Sequence, residues 1–475
     1  MRLIKDTSYK ENYASRIVKI ESFFEHPNPD VTKIKCCTIP GTLINVIVGL
    51  DYKPGLYVYF CVDSKINPSL LSYLNLYYDS IMNRDKTIKG FFKRSGKVKP
   101  VKLKPVYDVV EIDNISYKLP KKGCISNGFL LDLNSFKEWI KFRYGEELDD
   151  ISECEFNAVS GEVTEWVSKE AVVIAEHQQR KFKQRKRKQP SDFENVLDNQ
   201  FHFHYDTKFA IMNNNAFSPD DWIHISVKVH GTSICVSNVL CERHLPWYIK
   251  LWNKISPYKI PNVEYRNIYS SRGQIKNAKR IDGCNFDGYY DSNVWEYANN
   301  VIYPKLSKGM EVYAEILGYT EHGQYIQREF DYGCIKPIDK NYYDTVHYRI
   351  MVYRIELVNP DGIRHEFSPR EVQQWCMENG IEPVRELYYG QAKNLYPDLQ
   401  YNDEWYANFI SRIAVDKRFG MEELEPMCNN KVPREGIVIK VDNMHPNAYK
   451  VKCDKFYEIT RKEIEDGISN IEDNE

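Results

Sequence analysis

Residues 223–236 read IHISVKVHGTSICV, and this stretch decides the fold prediction. Apolar and polar residues alternate along it at the two-residue period of a β-strand. Lys228 and His230 therefore share one face, and Gly231 permits a turn that a β-carbon would obstruct. The pattern predicts a hairpin in which one face packs, while the opposite face places Lys228 near the tip, at a cleft.

The composition indicates a multidomain intracellular protein. The 475 residues include 65 Lys+Arg and 67 Asp+Glu, for a net charge of -2. This length predicts two or three domains, and the charge balance excludes a globally basic coat protein while allowing local basic patches. The 12 cysteines form no C-x-x-C pair, and no uncharged apolar run approaches the roughly 18 residues of a membrane span. We expect reduced thiols, a cytoplasmic or nuclear location and no membrane partner.

The N-terminal region carries short β-type runs. Residues 16–63 alternate such runs with the turn sequences HPNPD and DYKPG, which predicts a small barrel. The later stretch SGKVKPVKLKPVYDVV is typical of a basic strand in the nucleic-acid groove of an OB-fold. A solvated edge strand that uses lysine to block aggregation explains it equally well. The candidate nucleic-acid contacts here are Lys97, Lys99, Lys102 and Lys104.

A basic stretch separates this region from the rest of the chain. Seven of the nine residues 180–188 are basic, including Arg185 and Arg187, which suits an interdomain linker that contacts phosphates. An exposed loop, a helix end or a nuclear-import signal would have the same composition. Farther on, SPREVQQWCMENG predicts a helix with Ser368 as N-cap, Glu371 in the capping box and Gly380 as its end.

Five further segments carry chemically suggestive residues in a fixed order. They are NIYSSRG with Arg272, VYAEILGY with Glu315, IMVYRIEL with Tyr353, REGIVIKV with Glu435, and AYKVKCDKF with Lys450 and Lys452. Together with KVHGT they resemble motifs I, Ia, III, IIIa, IV and V of the covalent nucleotidyltransferases, which include ATP-dependent ligases and mRNA capping enzymes. The lead-in FHFHYDTKFAIMNNNAFSPDDW is similar to that of ATP-dependent RNA ligases with an N-terminal OB domain.

The resemblance implies an α+β protein with four parts. An OB-like β-barrel at residues 1–131 would bind nucleic acid, and a helical and basic linker region would span residues 132–199. A nucleotidyltransferase (adenylation) domain of antiparallel sheets with flanking helices would follow at residues 200–460, and an acidic tail at 461–475.

The resemblance also implies a role for each motif residue. Lys228 would attack the α-phosphorus of ATP, although free lysine has a pKa of about 10.4 and needs a cationic field to become neutral. Lys450, Lys452 and a bound Mg²⁺ or Mn²⁺ would supply that field. Glu435 would hold metal-bound water at the α-phosphate. The remaining contacts to ATP would come from Glu315, on the ribose or the same hydrated metal, from Tyr353, stacked on adenine, and from Arg272, on phosphate or sugar.

The function implied is an RNA ligase that joins 5′-phosphate and 3′-OH ends, in RNA nick repair. The expected partner is nicked duplex RNA or an RNA–DNA hybrid, and the expected state is a monomer. A capping guanylyltransferase or a DNA ligase would share the lysine chemistry, but both normally place an OB domain after motif V, where 23 residues follow Lys452. A noncatalytic RNA-binding protein is the remaining alternative, and it predicts the loss of motif residues that are present here.

Overall fold

The computed structural model describes two compact units. Unit 1 comprises Met1–Trp166, Lys208–Ser218 and Asp398–Asp416, and unit 2 comprises the remainder. The predicted contacts Arg185 and Arg187 and the acidic tail 461–475 lie outside the described residues. Those are 15–62, 64–145, 147, 163–165, 196–205, 207–243, 245–273, 275–276, 290, 292–337, 346–420, 424–442, 447–453 and 455–456.

Strands outnumber helices in the described residues, which confirms the α+β prediction. The helices are α1 (Pro68–Tyr73), α2 (Leu133–Tyr144), α3 (Trp247–Ile255), α4 (Val294–Ile302), α5 (Pro369–Asn379), α6 (Ala392–Leu395) and α7 (Trp405–Ile413), with 3₁₀ turns at Ser80–Met82, Ala210–Met212, Tyr303–Lys305 and Lys417–Phe419. The strands are β1 (Arg16–Ile20), β2 (Phe24–Glu25), β3 (Ile34–Thr38), β4 (Asn45–Gly49), β5 (Gly55–Phe60), β6 (Ser64–Ile66), β7 (Val101–Lys102), β8 (Tyr107–Ile112), β9 (Ile115–Pro120), β10 (Ile125–Ser126), β11 (Phe129–Asp132), β12 (Val163–Glu165), β13 (Lys208–Phe209), β14 (Trp222–Lys228), β15 (Thr232–Glu242), β16 (Val263–Ser270), β17 (Met310–Gly318), β18 (Tyr348–Val358), β19 (Arg364–Glu366), β20 (Glu382–Pro383), β21 (Glu386–Gln391), β22 (Gly436–Val441) and β23 (Ala448–Lys452).

Unit 1 is built from small antiparallel sheets. Strands β1, β5 and β11 form one sheet in the order β1-β5-β11, and β2, β3 and β4 form a second in chain order. Three two-stranded pairs accompany them: β7 with β10, β8 with β9, and β6 with β12. The described residues show no closed barrel, so the OB-like barrel stays a prediction. Helix α2 follows the predicted boundary at residue 131, and its fully buried Phe136 and Trp139 share a core with Val58 of β5.

The predicted basic strand of unit 1 is broken in two. Residues 107–110 begin β8, which pairs with β9, whereas the lysine-containing part forms only β7, two residues long, which pairs with β10. Pro100 and Pro105 lack the amide that a longer ladder would need, which limits the strand on both sides. The four predicted contact lysines differ in exposure: Lys97 and Lys99 are half-buried before β7, whereas Lys102 and Lys104 are exposed.

Unit 2 contains two larger sheets. In the first, β14 lies between β21 and β22, and β22 also pairs with β23. The second has the order β16-β15-β17-β18-β19, with β20 added parallel to β18. Every other pairing is antiparallel. Helices α4 and α5 bury Trp295 and Trp375 in the core of the second sheet.

The predicted hairpin at residues 223–236 is wrong. Strands β14 and β15 belong to different sheets, because both edges of each strand are already paired with other strands. Residues 229–231 therefore cross from one sheet to the other. Neither face of β14 is open along its length, since His224 and Ser226, on the face of Lys228, are 8% and 6% exposed. Only the two ends of that face reach solvent, and Lys228 lies at one of them.

The helix predicted from local signals is confirmed as α5. The Ser368 side chain accepts a hydrogen bond from the Glu371 amide, and the Glu371 carboxylate accepts one from the Ser368 amide, which completes the capping box. The helix ends at Gly380, which adopts a left-handed conformation with φ 62°.

Two further predictions concern membrane and redox chemistry. No helix among the described residues combines the length and apolar character needed to span a bilayer. The ten cysteines that the structure describes are free thiols. Burial raises the pKa of the Cys37 thiol to about 12, which keeps it protonated.

Candidate active site

The corner between β14 and β15 is pressed against β17. A β-carbon on Gly231 would lie 2.3 Å from the Ile316 carbonyl oxygen and 2.8 Å from Glu315 Cγ, so only glycine fits. The Gly231 carbonyl accepts a hydrogen bond from Gln327 Nε2 at 2.9 Å. One residue earlier, the His230 amide donates to Tyr332 Oη at 2.6 Å. These contacts fix the corner and bring Glu315 beside it.

A buried carboxylate lies between two of the predicted catalytic lysines. The Glu435 side chain is fully buried, and its Oε1 lies 2.8 Å from Lys228 Nζ and 3.3 Å from Lys452 Nζ. Strand register explains the convergence, because Gly436 of β22 pairs with Lys228 of β14 on one side and with Lys452 of β23 on the other. Residues far apart in sequence thus meet at one end of the first sheet.

Gly436 allows these three strands to meet closely. Its φ is +154°, and a β-carbon there would lie 2.2 Å from the Val451 carbonyl oxygen. Any other residue at this position would push β22 away from β23. Gly436 therefore sets the distance between Glu435 and Lys452.

Lys450 extends the cationic side of the site. It pairs opposite Val438 and lies two residues from Lys452 on β23, so both lysines project from the same face. Lys450 is 8% exposed. A deeply placed ammonium group of this kind suits an anionic ligand such as a phosphate.

His230, for which no catalytic role was predicted, is part of the wall of the site. Its Nδ1 lies 3.7 Å from Glu435 Oε2. The ring contacts Phe330 and Phe456 edge-on, each at 4.9 Å between centroids. This apolar packing excludes water from one side of the Glu435 carboxylate.

The hydroxyl of Tyr353 belongs to a hydrogen-bonded group of three. It lies 2.8 Å from His204 Nδ1 and 3.2 Å from Ser233 Oγ, and the latter two atoms are 3.2 Å apart. Burial, reinforced by the charge of Glu315, raises the pKa of the Tyr353 hydroxyl, which stays protonated as a hydrogen-bond donor. Tyr353 and Val384 line the same small pocket.

The other two predicted ATP contacts lie on the second sheet. Glu315 of β17 pairs opposite Ser233 of β15 and is 9% exposed. Arg272 is half-buried and follows the end of β16, the strand beside β15. The structure thus brings Lys228, Glu435 and Lys452 into contact, and it places Glu315 beside the corner at Gly231 that follows Lys228.

The carboxylate of Glu435 is suited to holding a hydrated cation. Both oxygens are buried, and within the described residues neither accepts a hydrogen bond of normal geometry, although the two lysines are at ion-pair distance. Acceptor capacity therefore remains for metal-bound water. The described residues contain no group of three or more His, Cys, Asp or Glu that could hold a metal directly. Contact through water, from Glu435 and Glu315, fits this donor set.

Sequence reasoning missed several residues that shape the site. Gln327 and Tyr332 come from the segment QREFDYG, and His204 from the lead-in FHFHYD. None has a spacing that relates it to Lys228. Only the contacts in three dimensions identify them.

Comparison with known proteins relates this site to a known family. The RNA ligase family model matches residues 221–454. This match, over just under half of the chain, is to the RNA ligase family. The matched segment contains every predicted nucleotide-binding residue, from Lys228 to Lys452, and it excludes β1–β13.

Solved structures similar to this chain include proteins from Naegleria gruberi. A mutant Naegleria gruberi RNA ligase with ATP and Mn is 14% identical, with a TM-score of 0.49, and the match covers 94% of this chain and 99% of that chain. The Naegleria gruberi RNA ligase with PPi is 13% identical, with a TM-score of 0.46 and coverage of 95% and 99%. No curated protein matches the chain.

Proposed function

We propose that this RNA ligase uses ATP to seal 5′-phosphate and 3′-OH ends of RNA in nick repair, through a lysyl-AMP and an RNA-adenylate intermediate. The observation that carries the proposal is the contact of Lys228 and Lys452 with the buried Glu435. A single amine at a strand end, which shares one buried carboxylate with a second lysine, matches the requirements of covalent nucleotidyl transfer. The proposed site also uses Arg272, Glu315, Tyr353 and Lys450.

In the first step, Lys228 Nζ attacks the α-phosphorus of ATP. An N–P bond forms, the bond to the β-phosphate breaks, and pyrophosphate leaves. Glu435, 2.8 Å from Nζ, is placed to hold the proton that the amine releases. Lys450 and Lys452 neutralise the negative charge that develops on the nonbridging oxygens.

A divalent cation, Mg²⁺ or Mn²⁺, would supply further charge neutralisation at the phosphates when bound. Glu435 and Glu315 are the residues that would hold its water shell. Carboxylates that contact the water shell suit an ion such as Mg²⁺, which gives up its bound water reluctantly.

The nucleoside of ATP would lie against the second sheet. Tyr353 offers its ring to the adenine, and the hydrogen bonds from its hydroxyl to His204 and Ser233 hold that ring in one orientation. Glu315, beside the corner at Gly231, would contact the ribose hydroxyls.

The two later steps consume the adenylate. The RNA 5′-phosphate attacks the lysyl-AMP phosphorus, which releases Lys228 and forms a 5′–5′ pyrophosphate linkage. The 3′-OH of the adjacent strand then attacks the 5′-phosphate, forms the phosphodiester and expels AMP. The protein would act as a monomer in the cytoplasm or nucleus.

Unit 1 would hold the RNA around the break, as an OB-like domain. Its exposed Lys102 and Lys104 are the described cations that support this role. The substrate proposed is a nick in duplex RNA or in an RNA–DNA hybrid.

The experiment that tests the proposal is covalent labelling. Incubation with ATP labelled at the α-phosphate and Mn²⁺ should leave label on the protein, and Lys228→Ala should abolish it. Lys393→Ala is the control, because Lys393 forms an ion pair with Asp220 away from the site and should not affect labelling. Label that persists on Lys228→Ala would refute the assignment. Sealing of nicks whose two strands are independently RNA or DNA then defines the substrate.

A further inference from the structure

Helix α3 exposes an unusual number of large apolar side chains. It lies in the connection between β15 and β16, and none of its nine residues is buried. Soluble proteins rarely expose contiguous apolar patches unless the patch binds something. The exposed fractions are 76% for Trp247, 58% for Tyr248, 49% for Leu251, 55% for Trp252, 77% for Ile255 and 83% for the following Tyr258. We call this set the α3 patch.

The α3 patch forms one side of the helix. Residues three and four apart are neighbours on a helix surface. Trp247, Leu251 and Ile255 therefore form one row, and Tyr248 and Trp252 form the adjacent row. The half-buried Ile249 and Asn253 face the opposite side.

The segment after the helix is folded back and held. Trp252 Nε1 donates to the Tyr258 carbonyl at 3.2 Å, and Asn253 exchanges two hydrogen bonds of 2.8 Å with the Ile260 backbone. Where the connection leaves β15 and enters β16, the Arg243 amide donates to the Asn262 carbonyl at 2.7 Å. The exposed rings thus belong to an ordered structure.

Positive charge borders the patch. Lys250 and Lys254 are exposed and lie one turn apart, in a row beside Trp247, and Lys259 is exposed next to Tyr258. The sequence from 245 to 262 contains no acidic residue. A partner that complements this surface combines negative charge with flat apolar groups.

Single-stranded RNA has both properties. Its bases can stack on aromatic rings and its phosphates pair with lysine, whereas the bases of a duplex are stacked inside and cannot reach the rings. The substrate of this family is already a polyanion that must be held at every turnover. An anionic membrane surface shares the charge but is not part of the family's reaction.

The patch lies far from the nucleophile. Strand β15 begins at Thr232, beside the corner, and runs to Glu242 before α3. At about 3.3 Å per residue this strand carries the patch roughly 33 Å from the corner. An RNA that occupies both places must extend about ten nucleotides from the joined ends, at about 3.4 Å per stacked nucleotide.

We propose that the α3 patch is a second RNA-binding site, which holds a single-stranded flank that extends beyond the nicked duplex, about ten nucleotides from the join. The proposal rests on the proposed function for its substrate class. Trp247, Trp252 and Tyr258 stack on unpaired bases, and Lys250 and Lys254 contact the phosphates between them.

The test measures RNA binding separately from chemistry. Fluorescence anisotropy with single-stranded RNA of about 24 nucleotides should show that the double variant Trp247→Ala/Trp252→Ala binds about 25-fold more weakly than the parent, since each stacked ring contributes about fivefold. Tyr401→Ala removes an aromatic ring that is 64% exposed elsewhere and should leave the affinity unchanged. Substrates with flanks of about four nucleotides are too short to reach the patch, so the parent and the double tryptophan variant should seal them at equal rates.

A charge variant gives a second readout that a folding defect would not produce. Lys250→Gln/Lys254→Gln should lower the slope of log affinity against log salt by about 1.4, at about 0.7 per phosphate contact on a single strand. Labelling by ATP should be unchanged in both double variants, which shows that unit 2 is folded and that the adenylation site is intact.

Three outcomes would overturn the proposal. The first is an unchanged RNA affinity in the double tryptophan variant. The second is an unchanged salt slope in the lysine variant. The third is that the double tryptophan variant, compared with the parent, loses binding to vesicles of phosphatidylserine and phosphatidylcholine but keeps its RNA affinity, which would identify a membrane-binding surface. Absence of label on the parent protein would refute the proposed ligase function and leave this binding result to stand by itself.

Discussion

The carboxylate of Glu311 should make the stability of unit 2 depend on pH. Glu311 is 0% exposed, and its carboxylate contacts Arg364, which also contacts Glu356 at 2.9 Å. Its other oxygen accepts a hydrogen bond from the His202 amide at 3.2 Å. Burial raises the pKa of Glu311 from 4.5 to about 7, despite the opposing effect of Arg364.

The sign and size of the effect follow from proton linkage. Between pH 4.5 and pH 7 the folded protein holds a proton on Glu311 that the unfolded chain releases. The stabilisation is therefore complete below pH 4.5 and is lost as the pH rises through 7. Each tenfold difference in proton affinity between the folded and unfolded protein corresponds to about 1.4 kcal/mol. From about pH 5 to about pH 8, the free energy of unfolding should therefore fall by about 2.5 kcal/mol because of this group.

The variant Glu311→Gln isolates this contribution, since the amide has the same shape and does not titrate. Urea unfolding followed at about pH 5 and pH 8 should show the midpoint of the variant rising relative to the parent by roughly 1 M, for a slope near 2.5 kcal/mol/M. Glu382→Gln removes a carboxylate whose side chain is 52% exposed and is the matched control. If the difference between Glu311→Gln and the parent is the same at both pH values, the reasoning about Glu311 is wrong.

Two further predictions concern the site itself. Tyr353→Phe keeps the ring but loses the hydrogen bond to His204, so the ATP concentration for half-maximal labelling should rise about fivefold, with the maximal extent unchanged. His204→Ala should have the same effect, the double variant should add little to it, and His204→Asn should restore the contact. Full additivity of the two single effects would show that Tyr353 and His204 act separately. Gly436→Ala introduces a β-carbon 2.2 Å from the Val451 carbonyl oxygen at a residue of positive φ. The resulting strain of about 1–3 kcal/mol should lower the thermal midpoint of unit 2 by several degrees and abolish labelling. An unchanged melting curve would contradict this prediction.

Local sequence signals predicted helix α5 well. Its N-cap, capping box and C-terminal glycine all act within one turn of the residues concerned, so they can be read from adjacent positions. The strand from Trp222 to Lys228 was also predictable, because alternation is a local property.

The partners of that strand were not predictable from the same signal. A tight glycine corner after an alternating strand favours a hairpin, but β14 and β15 each pair with strands more than 70 residues away in at least one direction. Long-range pairing had already occupied their edges. The motif order nevertheless predicted the contact of Lys228, Glu435 and Lys452, since the resemblance contains this long-range information. His204 carries no such signal.

The corner at residues 229–231 joins the sheet that carries Lys228 to the sheet that carries Tyr353. Lys228, the proposed nucleophile, ends a strand of the first sheet, whereas Ser233, which contacts Tyr353, belongs to the second. Any change in the corner would therefore move the amine relative to the ring proposed to bind adenine. Gln327 and Tyr332 oppose such a change, because Gln327 donates to the Gly231 carbonyl at 2.9 Å and Tyr332 accepts from the His230 amide at 2.6 Å. The segment that contains Gln327 and Tyr332 thus positions the proposed nucleophile.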